Sequence, residues 1–171
     1  MKRPTWVTVV GVLGILFGIC GLFVSGQVAA MPTIMEWQKR FLETMPIDRT
    51  ADGQNAEQFK QMMRGFFGDQ PSWFGPACVA LGVIGLVVNG FYIFASVTLL
   101  QLKAKAARLF TTVLGVSIAL GLTRAVVMMN GFSFLAVPTL MSGLVGVVLD
   151  IVLLVVIATA DKSVLGQPVT P

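Results

Sequence analysis

The chain alternates between long apolar runs and shorter polar segments. Four runs are rich in apolar residues and poor in charged ones, at 6–30, 77–100, 106–129 and 138–160. Each approaches or exceeds the roughly 20 residues that cross a hydrocarbon core about 30 Å thick. Because a backbone in lipid must satisfy its own hydrogen bonds, each run is predicted to be a transmembrane helix. The pattern therefore predicts an all-α membrane protein, a four-span antiparallel transmembrane helix bundle that forms a single membrane domain over 1–171.

Small residues recur along one face of several predicted spans. On a helix, alternating steps of three and four residues keep side chains on one stripe. Small residues allow two helix backbones to approach closely inside a membrane. The predicted helix-packing glycines are Gly11, Gly14, Gly18, Gly21, Gly75, Gly82, Gly85, Gly143 and Gly146. We expect the first two spans to pack against each other along these stripes.

The polar segment 31–74 is predicted to form an external cap of two short amphipathic helices. In the first helix, apolar residues recur at helical spacing from Ile34 to Met45, and Pro46 ends it. The apolar face of the second helix consists of Phe59, Met62, Met63, Phe66 and Phe67. A solvated loop has no need for such stripes, so we expect the cap to lie on the outer end of the bundle or among lipid headgroups.

Residues 1–30 allow two interpretations. A basic start, an apolar run and small residues near Ala30 are typical of a cleaved signal peptide. The apolar run is longer than the roughly 7–15 residues usual in such a peptide. It also carries the glycine stripe, which a discarded segment does not need. We therefore expect this segment to be retained as the first span.

Basic residues at the ends of the spans predict the topology. Lys2 and Arg3, the cluster from Lys103 to Arg108, and Lys162 all flank one side of the predicted bundle. The positive-inside rule places that side in the cytoplasm. Both termini, including a short tail at 161–171, are then cytoplasmic, and the cap at 31–74 is external. The expected location is a bacterial cytoplasmic (inner) membrane.

Composition limits the chemistry that the chain can support. Only 12% of its residues are charged, against about 25% in soluble domains. The net charge of +4 is spread over membrane flanks, so we expect no nucleic-acid partner. The chain has no histidine, so imidazole bases and histidine-containing metal sites are excluded. We expect no enzymatic activity, no catalytic residue, no cofactor and no metal.

Three polar residues inside the predicted spans form a candidate cluster: Asn89, Arg124 and Asp150. At 1.5 Å per residue, Asn89 and Asp150 lie about 18 Å from the outer ends of their helices and Arg124 about 8 Å. Helical side chains lean toward the N-terminus of their own helix. This moves Arg124 inward and the other two outward, so the three groups are predicted to converge.

The cluster has a functional and a structural interpretation. A charged residue in the middle of a span costs about 2.5–3.5 kcal/mol on insertion scales, and an Asp–Arg pair would remove much of that cost. The cluster is then either a site for an ion, proton or polar headgroup, or an interhelical pair that fixes helix register. We favour the structural role because no His, Glu or Lys accompanies the pair.

Two functions follow from these features. We expect a non-enzymatic accessory, assembly or interaction subunit of a bacterial inner-membrane complex, because the chain lacks a soluble catalytic domain and its outer cap suits a partner. The alternative is a small transporter or channel that uses Asp150, Arg124 and Asn89. Expected partners are the lipid bilayer and either another membrane protein or a second copy of the chain. A water-accessible cavity that reaches Asp150 would favour transport, whereas a dry, interlocked core would favour the subunit.

Overall fold

The structure, a computed structural model, describes residues 4–44, 71–130 and 136–160. Within these ranges the chain forms four α-helices and no strand. The helices are α1 Thr5–Thr44, α2 Phe74–Leu100, α3 Ala106–Asn130 and α4 Ala136–Thr159. Each contains a stretch long and apolar enough to cross a membrane. The prediction of an all-helical chain with four span-length apolar helices is therefore confirmed.

The four helices pack in chain order. Each helix contacts the next one extensively, whereas α1 and α4 touch only weakly. Consecutive helices run antiparallel, as the α1–α2 pair shows: Gly11 lies beside Leu100, while Ala29 lies beside Gly82. We call the end with the α2–α3 connection the basic end, because Lys103, Lys105 and Arg108 lie there.

The α1–α2 pair is in close contact along its length. A Cβ atom added at Gly82 would lie 2.5 Å from the backbone nitrogen of Ala29, a distance that real Cβ atoms essentially never show. At Gly18 the same atom would meet Ile93 at 2.5 Å. Gly75 is looser, since its nearest neighbour is Pro32 at 3.8 Å. Small side chains thus bring the two backbones together over most of the pair, which increases their dispersion contacts.

Helix α1 is longer than the pattern of its sequence predicts. The first span was expected to end at residue 30 and a separate amphipathic helix to begin at Ile34, but one continuous helix runs to Thr44. Pro32 lies inside this helix, where a proline removes one backbone hydrogen bond and its ring crowds the preceding turn. Met35 belongs to the same buried apolar cluster as Phe74 and Met128, and this packing holds the helix together beyond the proline.

The first half of the predicted cap is therefore the end of α1. Pro32 lies beside Gly75, near the start of α2. From there to Thr44, α1 extends for about 18 Å at 1.5 Å per residue. We call this end of the bundle the projecting end. The second half of the predicted cap, with Phe59, Met62, Met63, Phe66 and Phe67, lies outside the described residues, as does the tail at 161–171.

The buried apolar side chains form two clusters. The larger one occupies the basic end and contains Val7, Val10, Tyr92, Ala95, Leu99, Ala106, Phe110, Val113, Leu114, Leu153 and Ile157. The smaller one occupies the projecting end and contains Val28, Met35, Phe74, Cys78 and Met128. Between them lies a layer of buried polar residues that includes Ser25, Asn89 and Asp150. This polar layer is the candidate site.

Candidate functional site

Asp150 lies on the inner face of α4 and is 7% exposed. The hydroxyl of Tyr92 on α2 donates a hydrogen bond to its Oδ1 atom at 2.9 Å. The hydroxyl of Ser117 on α3 donates to its Oδ2 atom at 2.6 Å. The Tyr92 ring packs edge-on against Phe110, with ring centres 5.4 Å apart. Because both carboxylate oxygens accept a hydrogen bond, much of the cost of burying this group is offset.

Arg124 on α3 belongs to a second hydrogen-bond network. Its Nη2 atom donates to the hydroxyl of Ser25 on α1 at 2.9 Å and to the carbonyl oxygen of Leu81 on α2 at 3.0 Å. Its Nε atom is buried and has no hydrogen-bond acceptor among the described residues. Both acceptors of Nη2 are neutral, so no described side chain compensates the positive charge of the guanidinium.

Asn89 joins this second network through Ser25. Its Nδ2 atom donates to the Ser25 hydroxyl at 3.1 Å and to the carbonyl oxygen of Gly85, one turn earlier on α2, at 2.7 Å. Ser25 is fully buried, and its hydroxyl accepts hydrogen bonds from both Asn89 and Arg124. A Cβ atom added at Gly21 would overlap the Asn89 amide, and one added at Gly85 would overlap the Arg124 guanidinium. These two glycines therefore make room for polar side chains.

The structure brings together only part of the predicted cluster. Asn89 and Arg124 meet through Ser25, whereas Asp150 is held by other residues. No salt bridge joins Arg124 to Asp150 in the described part of the chain. Ser117, the α3 partner of Asp150, lies two turns from Arg124, about 10 Å along the helix. The expected ion pair between Arg124 and Asp150 is not formed, because the guanidinium and the carboxylate make hydrogen bonds to different neighbours.

Residues of both networks line one cavity of about 360 Å³. Side chains from all four helices line it, and most of them are apolar. Its polar and charged lining consists of Asn89, Tyr92, Ser117, Arg124, Ser142 and Asp150. Cys20 of α1 and Val145 of α4 also line it and are exposed on the bundle surface. From these exposed lining residues and the weak contact of α1 with α4, we infer that the cavity opens sideways between these two helices.

Two glycines of α4 differ from their predicted role. Gly143 and Gly146 were expected to pack against another helix, but a Cβ atom added at either one would have no described neighbour within 4 Å. Both line the cavity instead. Gly121 of α3, in contrast, packs closely against α4, since a Cβ atom added there would lie 2.5 Å from the side chain of Val147. The reason is the weak contact of α4 with α1, which leaves space beside Gly143 and Gly146.

The chain was compared with models of protein families, with curated proteins and with solved structures. None of them matches. The site must therefore be interpreted from its own chemistry. Within the described ranges, no group of three or more His, Cys, Asp or Glu side chains could hold a metal ion. What the cavity offers is one carboxylate, one guanidinium, one side-chain amide and three hydroxyl groups inside an apolar wall.

Three further residues of the site, Ser25, Tyr92 and Ser117, lie on the predicted helix stripes, but the sequence did not predict their partners. A signal for them was present. Ser25 follows Gly21 by one turn, Tyr92 follows Asn89 by about one turn, and Ser117 precedes Arg124 by two turns. Each therefore shares a helix face with a residue of the site. Polar residues on such a face, in an otherwise apolar helix, are candidates for hydrogen bonds between helices.

Proposed function

We propose that this protein is a non-enzymatic accessory, assembly or interaction subunit of a complex in a bacterial cytoplasmic (inner) membrane. Lys103, Lys105 and Arg108 support an orientation with the basic end in the cytoplasm. The start of α1 and the end of α4 lie at that same end, since Val7 and Ile157 share its apolar cluster. Both termini are then cytoplasmic, and α1 projects on the other side.

The observation that carries this proposal is the exposed aromatic pair on the projecting part of α1. Trp37 is 66% exposed and Phe41 48% exposed, although the two rings stack with centres 5.7 Å apart. Large aromatic side chains often dominate the binding energy of protein interfaces. Because a helix holds this pair in a fixed position, little conformational entropy is lost when a partner binds. The partner is a membrane protein or a second copy of the chain.

Affinity purification from native membranes in mild detergent tests the proposal. With an untagged copy of the chain co-expressed, we expect a companion, either another membrane protein or that copy, in fixed stoichiometry with the wild-type chain and its loss with the double variant Trp37→Ala, Phe41→Ala. Phe23→Ala is the matched control, because Phe23 is an aromatic residue of the same helix that is 74% exposed but lies within the apolar run. Equal recovery of the companion with all three chains, or no companion at all, would overturn the proposal.

The second candidate is a small transporter or channel that uses Asp150, Arg124 and Asn89. It is favoured by the cavity, which reaches all three residues. It is disfavoured by the apolar clusters that lie on both sides of the polar layer along the bundle axis. A proton-flux assay in proteoliposomes tests the proton-conducting form of this function. A proton transporter or channel requires flux that Asp150→Asn abolishes, whereas the accessory subunit predicts no flux above protein-free vesicles.

A further inference from the structure

We propose that the cavity between α1 and α4 binds an amphiphile with an anionic phosphate or carboxylate headgroup, which enters sideways from the membrane and is held by Arg124. The proposal deepens the second candidate function by naming a class of ligand. The proposal rests on that function only in treating the cavity as a binding site. It does not require the bound molecule to cross the membrane.

The hydrogen bonds of Arg124 carry the first part of the argument. A guanidinium has five N–H donors and stays charged in proteins. In the described structure only Nη2 has acceptors, and both are neutral. The buried Nε atom has none. A phosphate or carboxylate in the cavity can accept a charge-assisted hydrogen bond from a terminal nitrogen of the guanidinium. An anion there would compensate the charge that the two neutral acceptors leave.

The shape of the cavity indicates an amphiphile. Its volume of about 360 Å³ lies within the range of roughly 300–1,000 Å³ usual for ligand sites. Most of its wall is apolar and suits an acyl chain. Gly143 and Gly146 leave open space along α4, and the mouth beside Cys20 lies on the side of the bundle. In a membrane this mouth faces lipid, so a lipid-soluble molecule can enter without passing through water.

Asp150 limits what else can bind. Its carboxylate faces the same cavity, but its two oxygens already accept hydrogen bonds from Tyr92 and Ser117. Along the bundle axis Asp150 lies about two helical turns from Arg124, because its partner Ser117 precedes Arg124 by two turns. A second negative charge on the ligand would be repelled there, whereas an ammonium group would be attracted. The cavity is therefore suited to a headgroup with its negative charge at one end.

Native mass spectrometry of the full-length protein tests the proposal. The detergent-purified protein is incubated with an equimolar mixture of phosphatidylglycerol and diacylglycerol, which lacks the phosphate, and in separate samples with oleate or with inorganic phosphate. We expect one retained anionic lipid per chain, with a preference for phosphatidylglycerol over diacylglycerol of about tenfold, which corresponds to one charge-assisted interaction. Arg124→Gln should abolish the preference. Arg108→Gln, which removes an exposed cation from the same helix, should keep it.

The other ligands and a second variant complete the test. Oleate should be retained if a carboxylate serves as well as a phosphate, whereas inorganic phosphate alone should not bind. Gly143→Leu adds a side chain to open space and leaves Arg124 in place, so it should fold like the wild type and lose the lipid. The proposal is overturned if Arg124→Gln retains the wild-type preference, if Gly143→Leu retains the lipid, or if inorganic phosphate binds as well. Lipid binding without proton flux would reject proton transport and leave this proposal standing.

Discussion

Gly82 and Gly85 lie about one turn apart on α2, but different groups occupy the space beside them. Gly82 faces the backbone of Ala29, which cannot move without displacing α1. Gly85 faces the guanidinium of Arg124 and the hydroxyl of Ser25. The first glycine therefore stabilises the contact of two helices, and the second makes room for the polar layer. A substitution at each position is expected to cost stability for a different reason.

The sharpest prediction at this scale concerns Gly82→Leu. A leucine there must push α1 away from α2, so we expect the free energy of unfolding to fall by about 3 kcal/mol or more. Gly90→Leu on the same helix is the control, since a Cβ atom at Gly90 has no described neighbour within 4 Å. The control should unfold at the wild-type midpoint or slightly above it, because leucine favours a helix more than glycine does. Denaturation by sodium dodecyl sulfate in mixed micelles measures both variants, and equal midpoints would contradict the packing described for α1 and α2.

Spacing along the sequence predicts which face a glycine occupies, but not what lies opposite. The stripes from Gly11 to Gly21 and from Gly75 to Gly85 were found from their steps of three and four residues. Gly143 and Gly146 have similar spacing but line a cavity. The difference arises because α1 and α4 touch only weakly, and that property belongs to the packed bundle. The local sequence of α4 therefore does not predict the weak contact with α1.

At the scale of the helices, α1 shows where local signals mislead. Pro32 and the charged residues that follow it are typical of the end of a span. The helix continues because proline costs one hydrogen bond, while Met35 packs into a buried cluster with Phe74. This tertiary contact outweighs the local preference. Apolar runs of membrane-spanning length predicted the other three helices to within a few residues, because length and hydropathy can be read from the local sequence.

The continuity of α1 predicts a distance. Spin labels on cysteines introduced by Val12→Cys and Phe41→Cys, with native Cys20 and Cys78 replaced by alanine, should lie about 44 Å apart along one helix. Both positions are exposed on α1. A helix that bends at Pro32 by a right angle into the headgroup layer would give about 33 Å. Double electron–electron resonance in nanodiscs distinguishes the two values, and the shorter one would contradict a projecting α1.

At the scale of the whole molecule, a polar layer lies between two apolar clusters. The sequence predicted this layer by depth, because counting residues from the ends of the spans places Asn89 and Asp150 at a similar level. It did not predict which groups pair. Pairing depends on the rotation of each helix and on small neighbours such as Gly85, and only the folded bundle fixes these. The result is two separate networks, around Arg124 and around Asp150, which face one cavity.

The separation of these networks is the central claim, and a solid-state NMR distance tests it most directly. Protein with ¹⁵N-labelled arginine side chains and ¹³Cγ-labelled aspartate is reconstituted in lipid, and Asp150→Asn identifies the Asp150 signal. We predict no nitrogen of Arg124 within salt-bridge distance, about 4 Å, of the Asp150 carboxylate. Strong dephasing of the Asp150 signal that disappears in Arg124→Gln would show a direct ion pair and would contradict the arrangement described for this site.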